Sequence, residues 1–391
     1  MKVCDLTQFY SPVSGGVRRY IEQKAAYIRE HRPGDEHILI VPGQSTGVSG
    51  EPPCRTFTIA SPLVSRTSRY RVLLHLHMVE EVLERERPDI IESGDPYQLA
   101  WKAVASGRGL DLPVVAFYHS HFPEALLRTV AKFSSRAVYA FAADAARRYV
   151  KSLYNHFAAT LVPSPALAGL LESWGVERTE NIDLGVDTAT FRPSDEPREP
   201  VRASVGVRDG RCLLLYVGRL APEKNVSTLF AAFRLLVKNH PGRYHLLIVG
   251  DGTSRRAAER LIAETGSATW MPYCSQPGEL AAIYRAADIF VHPGIQETFG
   301  LVTLESQASG TPVVAIRGSY MDRIIFSDTF HWAGENSPAS LASAIEATSR
   351  DDLRRTGLRA SQIVRSRFSW KQTFDRLFSV YKRIVGEHSG S

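Results

Sequence analysis

Short, unbroken apolar runs alternate along the chain with longer stretches in which apolar residues return every third or fourth position. The runs are HILIV (37–41), PDIIES (88–93), PVVAFYH (113–119) and ATLVPS (159–164), then CLLLYVG (212–218), YHLLIVG (244–250), ADIFVH (287–292) and TPVVAI (311–316). Continuous apolar runs of this length suit strands of a parallel sheet covered on both faces. Between them the period changes. In VSTLFAAFRLLVKNHPG, Val226, Leu229, Phe230, Phe233, Leu236 and Val237 share one helical stripe, which Pro241-Gly242 ends. Strand, helix, strand, repeated in this way, predicts a doubly wound α/β architecture.

One interruption divides the series. GVDTATFRPSDEPREPVRAS (185–204) carries three prolines and many charges, as an interdomain linker does. Two Rossmann-like domains therefore fall at 1–188 and 189–367, in keeping with a length of 391 residues. The last segment, SWKQTFDRLFSVYKRIV, spaces Trp370, Phe374, Leu377, Phe378, Tyr381 and Ile384 on one face. That stripe predicts a helix over 368–388 that docks back on the first domain.

Composition narrows the class. An apolar fraction of 44% and a charged fraction of 23% are those of an ordinary globular protein. No apolar run approaches the roughly 18 to 20 residues that span a bilayer. The opening MKVCDLTQFY puts Asp5 and Gln8 where a signal peptide has its apolar core, so a cytoplasmic chain is expected. The four cysteines (Cys4, Cys54, Cys212, Cys274) lie far apart without a C-x-x-C pair, which argues against a disulfide scaffold or zinc ribbon. A net charge of +6 fits anionic substrates or an anionic membrane surface. No nucleic-acid-binding signature accompanies it, and nucleic acid is not an expected partner.

In open parallel sheets, ligands bind beyond the carboxyl ends of the strands. Gly15-Gly16 follows the first short strand and precedes a helix, where backbone can approach a phosphate; a plain tight turn is the alternative. In YVGRLAPEKN (216–225), Gly218 ends a buried strand and Arg219 and Lys224 project from the next loop, a pair suited to a diphosphate. Surface cations on a solvated loop are the alternative. In HPGIQETFGLVTLESQASGTPVVAI (292–316), a helix begins near Gly300, so the amides of Phe299, Gly300 and Leu301 offer an anion site. Glu305, further along, can accept from two vicinal ribose hydroxyls, and Glu297, before the helix, can hold sugar hydroxyls. The alternative is a dipole-stabilising Glu297 with an exposed helical Glu305. His119 closes an apolar first-domain strand and suits acid–base work or a substrate hydroxyl. A structural histidine, or metal ligation with His121, remains open there, although no third ligand is spaced with them. Asp95 and His121 are candidates for the acceptor side.

Together GRLAPEKN, GDG (250–252) and QETFGLVTLESQASGTPVV, with its E-x7-E spacing, resemble the retaining GT-B glycosyltransferases of family 4. SGGVRRY, YHSHFP and GVDTATFRP resemble that family too, so the likeness covers nearly the whole chain. It is similar in particular to bacterial mannosyl-, sulfoquinovosyl- and glucosyl-transferases of glycolipid synthesis. The resemblance implies two Rossmann-like domains facing a cleft, with a nucleotide-sugar donor, GDP-mannose or a UDP-sugar, held mostly by the second. It implies that Arg219 and Lys224 neutralise the diphosphate, that Gly16 lies against it, that Glu305 takes the ribose and Glu297 the donor sugar, and that His119 stands beside the reacting sugar. It implies hexosyl transfer with retention to a hydroxyl acceptor, and neither metal nor cofactor. One departure stands out: where many members have a glycine-rich turn leading to Pro-Glu, this chain reads IRGSYMDRII (316–325), with Tyr320 and Met321.

RTVAKFSSRAVYAFAADAARRYVKS sets Arg128, Lys132, Arg136, Arg147, Arg148 and Lys151 against Asp144 alone. Membrane-associated relatives use such a first-domain surface on anionic lipid; a solvated helix face reads the same way. A peripheral position at the inner membrane face and a lipid-linked acceptor follow from the first reading. The other functional classes are a nucleotide-sugar epimerase of the same fold, a non-catalytic sugar-nucleotide sensor and a dinucleotide dehydrogenase. The last is disfavoured because no G-x-G-x-x-G follows the first strand.

Overall fold

The computed structural model describes residues 1–11, 15–64, 70–119, 121–123, 127, 135–207, 210–274, 276–326 and 331–390. The chain forms two compact units: Met1–Leu184 together with Trp370–Ser391, and Gly185–Ser369.

The first unit is built on eight strands: β1 (Lys2–Leu6), β2 (Glu36–Gly43), β3 (Gly47–Ser49), β4 (Cys54–Ala60), β5 (Ile90–Ser93), β6 (Val114–Phe117), β7 (Ala159–Val162) and β8 (Thr179–Asn181). They lie in the order β3-β4-β2-β1-β5-β6-β7-β8, and only β3 runs antiparallel to its neighbour. The second unit holds β9 (Cys212–Val217), β10 (Tyr244–Val249), β11 (Ala268–Met271), β12 (Ile289–His292), β13 (Val313–Ile316) and β14 (Trp332–Ala333). Its order is β11-β10-β9-β12-β13-β14, parallel throughout. The order reverses between β1 and β5 in one sheet and between β9 and β12 in the other. These are the switch points beyond which open α/β sheets bind ligands.

Each continuous apolar run became a strand; HILIV lengthened to Glu36–Gly43, and others were trimmed at their ends, two of them where polar groups take other work. The run at 88–93 loses its start because the Asp89 carboxylate receives the Lys2 N–H at 2.6 Å. The run at 287–292 begins late because Asp288 receives the Leu213 N–H at 2.7 Å and ion pairs with Arg198 and Arg202. Those two arginines belong to the expected linker, 185–204. It contains a short helix, Glu199–Ser204, and its Val186 N–H bonds Phe368 O at 2.7 Å, so it packs on the second unit and is no free tether.

The final helix, Trp370–Ser389, packs on the helix Gly16–His31 within the first unit. Tyr27 Oη donates to Asp375 Oδ1 at 2.6 Å, and Phe374 meets the rings of Tyr20 and Tyr27 at 5.7 and 5.4 Å. Beneath this contact lies a charge cluster closed to solvent. Lys24, wholly buried, holds Asp5 Oδ1 at 2.7 Å and Glu92 Oε1 at 3.0 Å. Asp5 Oδ2 bonds His37 Nε2 at 2.8 Å, and Glu92 Oε2 receives the hydroxyls of Tyr20 (3.1 Å) and Tyr381. All four carboxylate oxygens have partners, the condition on which buried charge is tolerated.

Lys24→Met removes the cation and leaves two carboxylates enclosed. Urea unfolding should show a loss of about 3 to 5 kcal/mol, or an unfolded first unit; a loss below about 1 kcal/mol would mean water already reaches the cluster.

Candidate active site

At the second switch point, two loops meet. The chain turns at Gly218, with φ at +156°. A Cβ on Gly250 would stand 2.1 Å from Gly218 O, and one on Gly252 2.4 Å from Leu220 O. The GDG glycines are thus spacers: they let the loop after β10 press on the backbone of 218–220, where Leu220 N–H bonds Asp251 O at 2.9 Å. So supported, the loop after β9 carries two cations. Arg219 is exposed and pairs with Glu223 Oε1 at 2.9 Å. Lys224 turns the other way, and its Nζ meets Glu297 Oε1 at 2.5 Å. Asn225 adds a second tie, its Nδ2 donating to Pro293 O at 2.9 Å.

Glu297 is nearly enclosed, 14% exposed at its side chain. Burial opposes its charge, but the Lys224 ammonium, helped by His292 and Arg219, outweighs that, and its pKa falls to about 2. It is ionised under any working condition. His292 accepts the Gly294 N–H on Nδ1 at 3.2 Å, which leaves the ring proton on Nε2, 3.6 Å from Glu297 Oε1. Burial lowers the pKa of this imidazole.

The helix Leu301–Ala308 starts from Gly300 at φ +94°, a left-handed cap only glycine takes freely, with Met321 Sδ 3.0 Å from where a Cβ would stand. In its first turn the Thr303 N–H is taken by Gly300 O at 3.0 Å; the amides before it have no carbonyl one turn back within the helix. The Phe299 ring is buried, so this residue offers a ligand only its main chain. Glu305 is not the exposed helical residue of the alternative reading: it is buried, and Tyr284 Oη donates to its Oε2 at 3.2 Å. The divergent segment IRGSYMDRII closes on Asp322, whose carboxylate receives the N–H groups of Gly318 (2.8 Å) and Ser319 (3.1 Å); this turn seats Met321 under Gly300.

In the first unit, Gly15 caps the helix that Gly16 begins. Its φ is −86° and a Cβ would meet nothing within 4 Å, so the fold itself does not demand glycine there. His119 stacks on Phe117 at 4.2 Å and meets the Tyr20 ring at 5.0 Å. Burial, then the Lys24 charge, lowers its pKa to about 3. It is therefore a neutral hydrogen-bonding ring. His121 has another setting: Nδ1 lies 3.0 Å from Tyr118 Oη, its ring 5.4 Å from Trp174, and burial lowers its pKa to about 4. Among the described residues no three His, Cys, Asp or Glu side chains form a metal-binding group. Asp95, buried after β5, accepts the Gln8 N–H on Oδ2 at 2.8 Å, while Oδ1 is enclosed with no hydrogen-bond partner among the described residues.

Of the basic stretch, Arg128 and Lys132 lie outside the described residues. The helix Arg136–Tyr154, capped by Ser135, leaves Val138, Tyr139 and Phe141 exposed at 48%, 40% and 70%. Further along it, Arg148 pairs with Asp144 at 2.6 Å. No described helix is long and apolar enough to cross a membrane. His292, Asn225 and Tyr284 had no role in the sequence reading. The first two stood inside quoted motifs, as a strand end and a loop end; nothing local marked Tyr284.

Two family models divide the chain between them: "Glycosyltransferase Family 4" matches residues 14–190 and "Glycosyl transferases group 1" residues 197–365. A GDP-mannose-dependent alpha-(1-6)-phosphatidylinositol dimannoside mannosyltransferase of Mycobacterium tuberculosis is 30% identical over 394 residues, covering 95% of this chain and 93% of that protein. The chain belongs to glycosyltransferase family 4. A D-inositol 3-phosphate glycosyltransferase of Acidothermus cellulolyticus is 33% identical over 231 residues, 56% of this chain, and the match spans about half (51%) of that relative's length. The fold is GT-B: a solved Anabaena protein in complex with UDP and glucose superposes with a TM-score of 0.74 at 18% identity, over 98% of this chain and all of that one.

Burial raises the Asp95 carboxyl to about 7, against the weaker pull of the Gln8 N–H. An acid whose pKa is higher folded than unfolded costs nothing below its unfolded value of about 4; the cost grows between about 4 and 7 and is complete above. Asp95→Asn removes it. The difference in Tm, variant minus wild type, should become more positive from pH 5 to pH 8; a difference that stays constant would show an ordinary carboxyl.

Proposed function

We propose that this protein moves a hexosyl group from a nucleoside diphosphate sugar, GDP-mannose or a UDP-sugar, to a hydroxyl acceptor, with retention at the anomeric carbon. The observation that carries the reading is Lys224 locked on the ionised Glu297 beyond the β9/β12 switch point. An ammonium already oriented and partly shielded meets a departing diphosphate with little reorganisation. Arg219 leaves an exposed pair with Glu223 at small cost and adds a forked donor. The amides of Phe299, Gly300 and Leu301 supply the rest. In the transfer the bond from the anomeric carbon to the phosphate oxygen breaks, its electron pair leaves with the diphosphate, and the acceptor oxygen bonds that carbon on the same face as its proton passes to the departing phosphate oxygen. These residues answer the leaving-group charge, so no metal is required.

Glu297 also reaches toward donor-sugar hydroxyls, and Glu305, steadied by Tyr284, serves the ribose. His119, being neutral, bonds a sugar hydroxyl and carries no charge in the reaction. Gly15 and Gly16 give the diphosphate a close backbone neighbour. On the acceptor side, Asp95 Oδ1, without a hydrogen-bond partner among the described residues, suits an incoming hydroxyl, and His121, on the loop that carries His119, is the second candidate. The relatives named for GDP-mannose favour mannose as the sugar. The exposed Val138, Tyr139 and Phe141, among Arg136, Arg147, Arg148 and Lys151, suit a peripheral hold on anionic lipid, where a glycolipid acceptor is found.

The direct test is NMR analysis of the products from GDP-mannose and UDP-glucose with EDTA present. Transfer with the donor's anomeric configuration is expected. An inverted product would overturn the reading; isomerised sugar without acceptor would make the protein an epimerase, and bound donor that is never cleaved a sensor. For the membrane, the protein should sediment with anionic vesicles at low salt and leave them at high salt; no binding at low salt removes the lipid surface from the account.

A further inference from the structure

The enclosed charge cluster of the first unit has no part in the chemistry above, yet one wall of it is the wall of His119. Tyr20 joins the two. Its hydroxyl donates to Glu92 Oε2 at 3.1 Å, its ring takes Lys24 Nζ over one face at 4.6 Å, and the same ring lies 5.0 Å from His119. Phe117 stacks on His119 at 4.2 Å, so the imidazole is held between two rings, and only Tyr20 is tied to the cluster. Glu92 in turn is held from outside: Tyr381, on the final helix, donates to the same Oε2 and accepts from Lys24 Nζ at 3.1 Å. Trp370 and Phe374, on that helix, meet the Tyr20 ring at 6.3 and 5.7 Å.

A cluster of this kind is a poor source of stability, because well-packed apolar residues often serve as well or better. What it supplies is direction: hydrogen bonds and ion pairs fix atoms where apolar packing lets rings slide. We propose that Tyr381, through Glu92 and Tyr20, is a positioning residue that sets the His119 ring for transfer, so that the final helix is part of the catalytic apparatus. The proposal rests on the role given to His119 above.

Tyr381→Phe removes one oxygen and keeps the ring. Tyr27→Phe is its control: Tyr27 also bonds across the same two helices, to Asp375, but has no contact with His119 among the described ring pairs. Release of GDP from GDP-mannose and of UDP from UDP-glucose gives kcat and KM, and thermal unfolding gives Tm. Tyr381→Phe should lower kcat about tenfold with donor KM changed less than twofold, whereas Tyr27→Phe should leave both near wild type at a similar shift in Tm. Equal kcat for Tyr381→Phe and wild type, or an equal fall in both variants, overturns the proposal. His119→Ala separates the two readings: if it retains wild-type kcat, the role of His119 fails; if it is inactive while Tyr381→Phe is normal, only the positioning fails. The His119 ring signals in the NMR spectrum supply a readout free of turnover. They should move in Tyr381→Phe and stay in Tyr27→Phe, and unmoved signals in both contradict the proposal.

Discussion

Parallel strands govern everything else in this protein. A strand that must run beside its predecessor in the same direction forces the chain to return across a sheet face, so each β-strand is followed by a loop on one common edge. Among the described strands, thirteen of fourteen obey this rule within their own sheets, β3 alone being antiparallel. The two reversals of strand order, at β1/β5 and β9/β12, then open gaps between diverging helices on that edge. Arg219, Glu297, Asp95 and His119 are loop residues placed by this geometry, and Lys224 ends a single 3-10 turn, Pro222–Lys224, in the connection after β9.

Two lysines show how one residue type serves opposite ends. Lys24 is sealed between Asp5 and Glu92, with Tyr381 accepting its third contact, and nothing outside can compete for it. Lys224 has one carboxylate, Glu297, and its side chain remains 28% exposed. The first fixes structure; the second holds charge ready for an anion that arrives later. The same contrast separates the carboxyls. Glu297 is kept ionised by its cation, whereas Asp95, without one, is raised toward neutrality by burial.

The sequence disclosed most of the sheet because buried parallel strands read as unbroken apolar runs. It hid β4, CRTFTIA, whose apolar residues only alternate, and the four-residue β11, ATWM, which is too short to show a pattern. Helices with a clean stripe, such as Val226–Asn239 and Trp370–Ser389, were legible almost to the residue. In the candidate site, Lys224 and Glu297 were visible as unlike charges after buried strands, but their pairing was not, since 73 residues separate them. The cluster around Lys24 was invisible for a different reason. Lys24 sits within the stripe of Tyr20, Ile21, Ala25 and Ile28, and a lysine there reads as a flanking polar residue until Asp5 and Glu92 are folded against it.

The pairing of Lys224 with Glu297 is the point on which the chemistry turns, and calorimetric titration tests it most directly. The free nucleoside diphosphate and the matching nucleotide sugar are each titrated into wild type, Glu297→Ala and Arg219→Ala, with EDTA present, and turnover is measured beside them. Glu297→Ala should leave binding of the free diphosphate nearly intact, within a few-fold of wild type as Lys224 loses its anchor, while turnover falls at least a hundredfold, because the carboxylate also serves the sugar. Arg219→Ala should weaken binding of both ligands. Small and equal effects of the two substitutions on binding and turnover would contradict this division of roles.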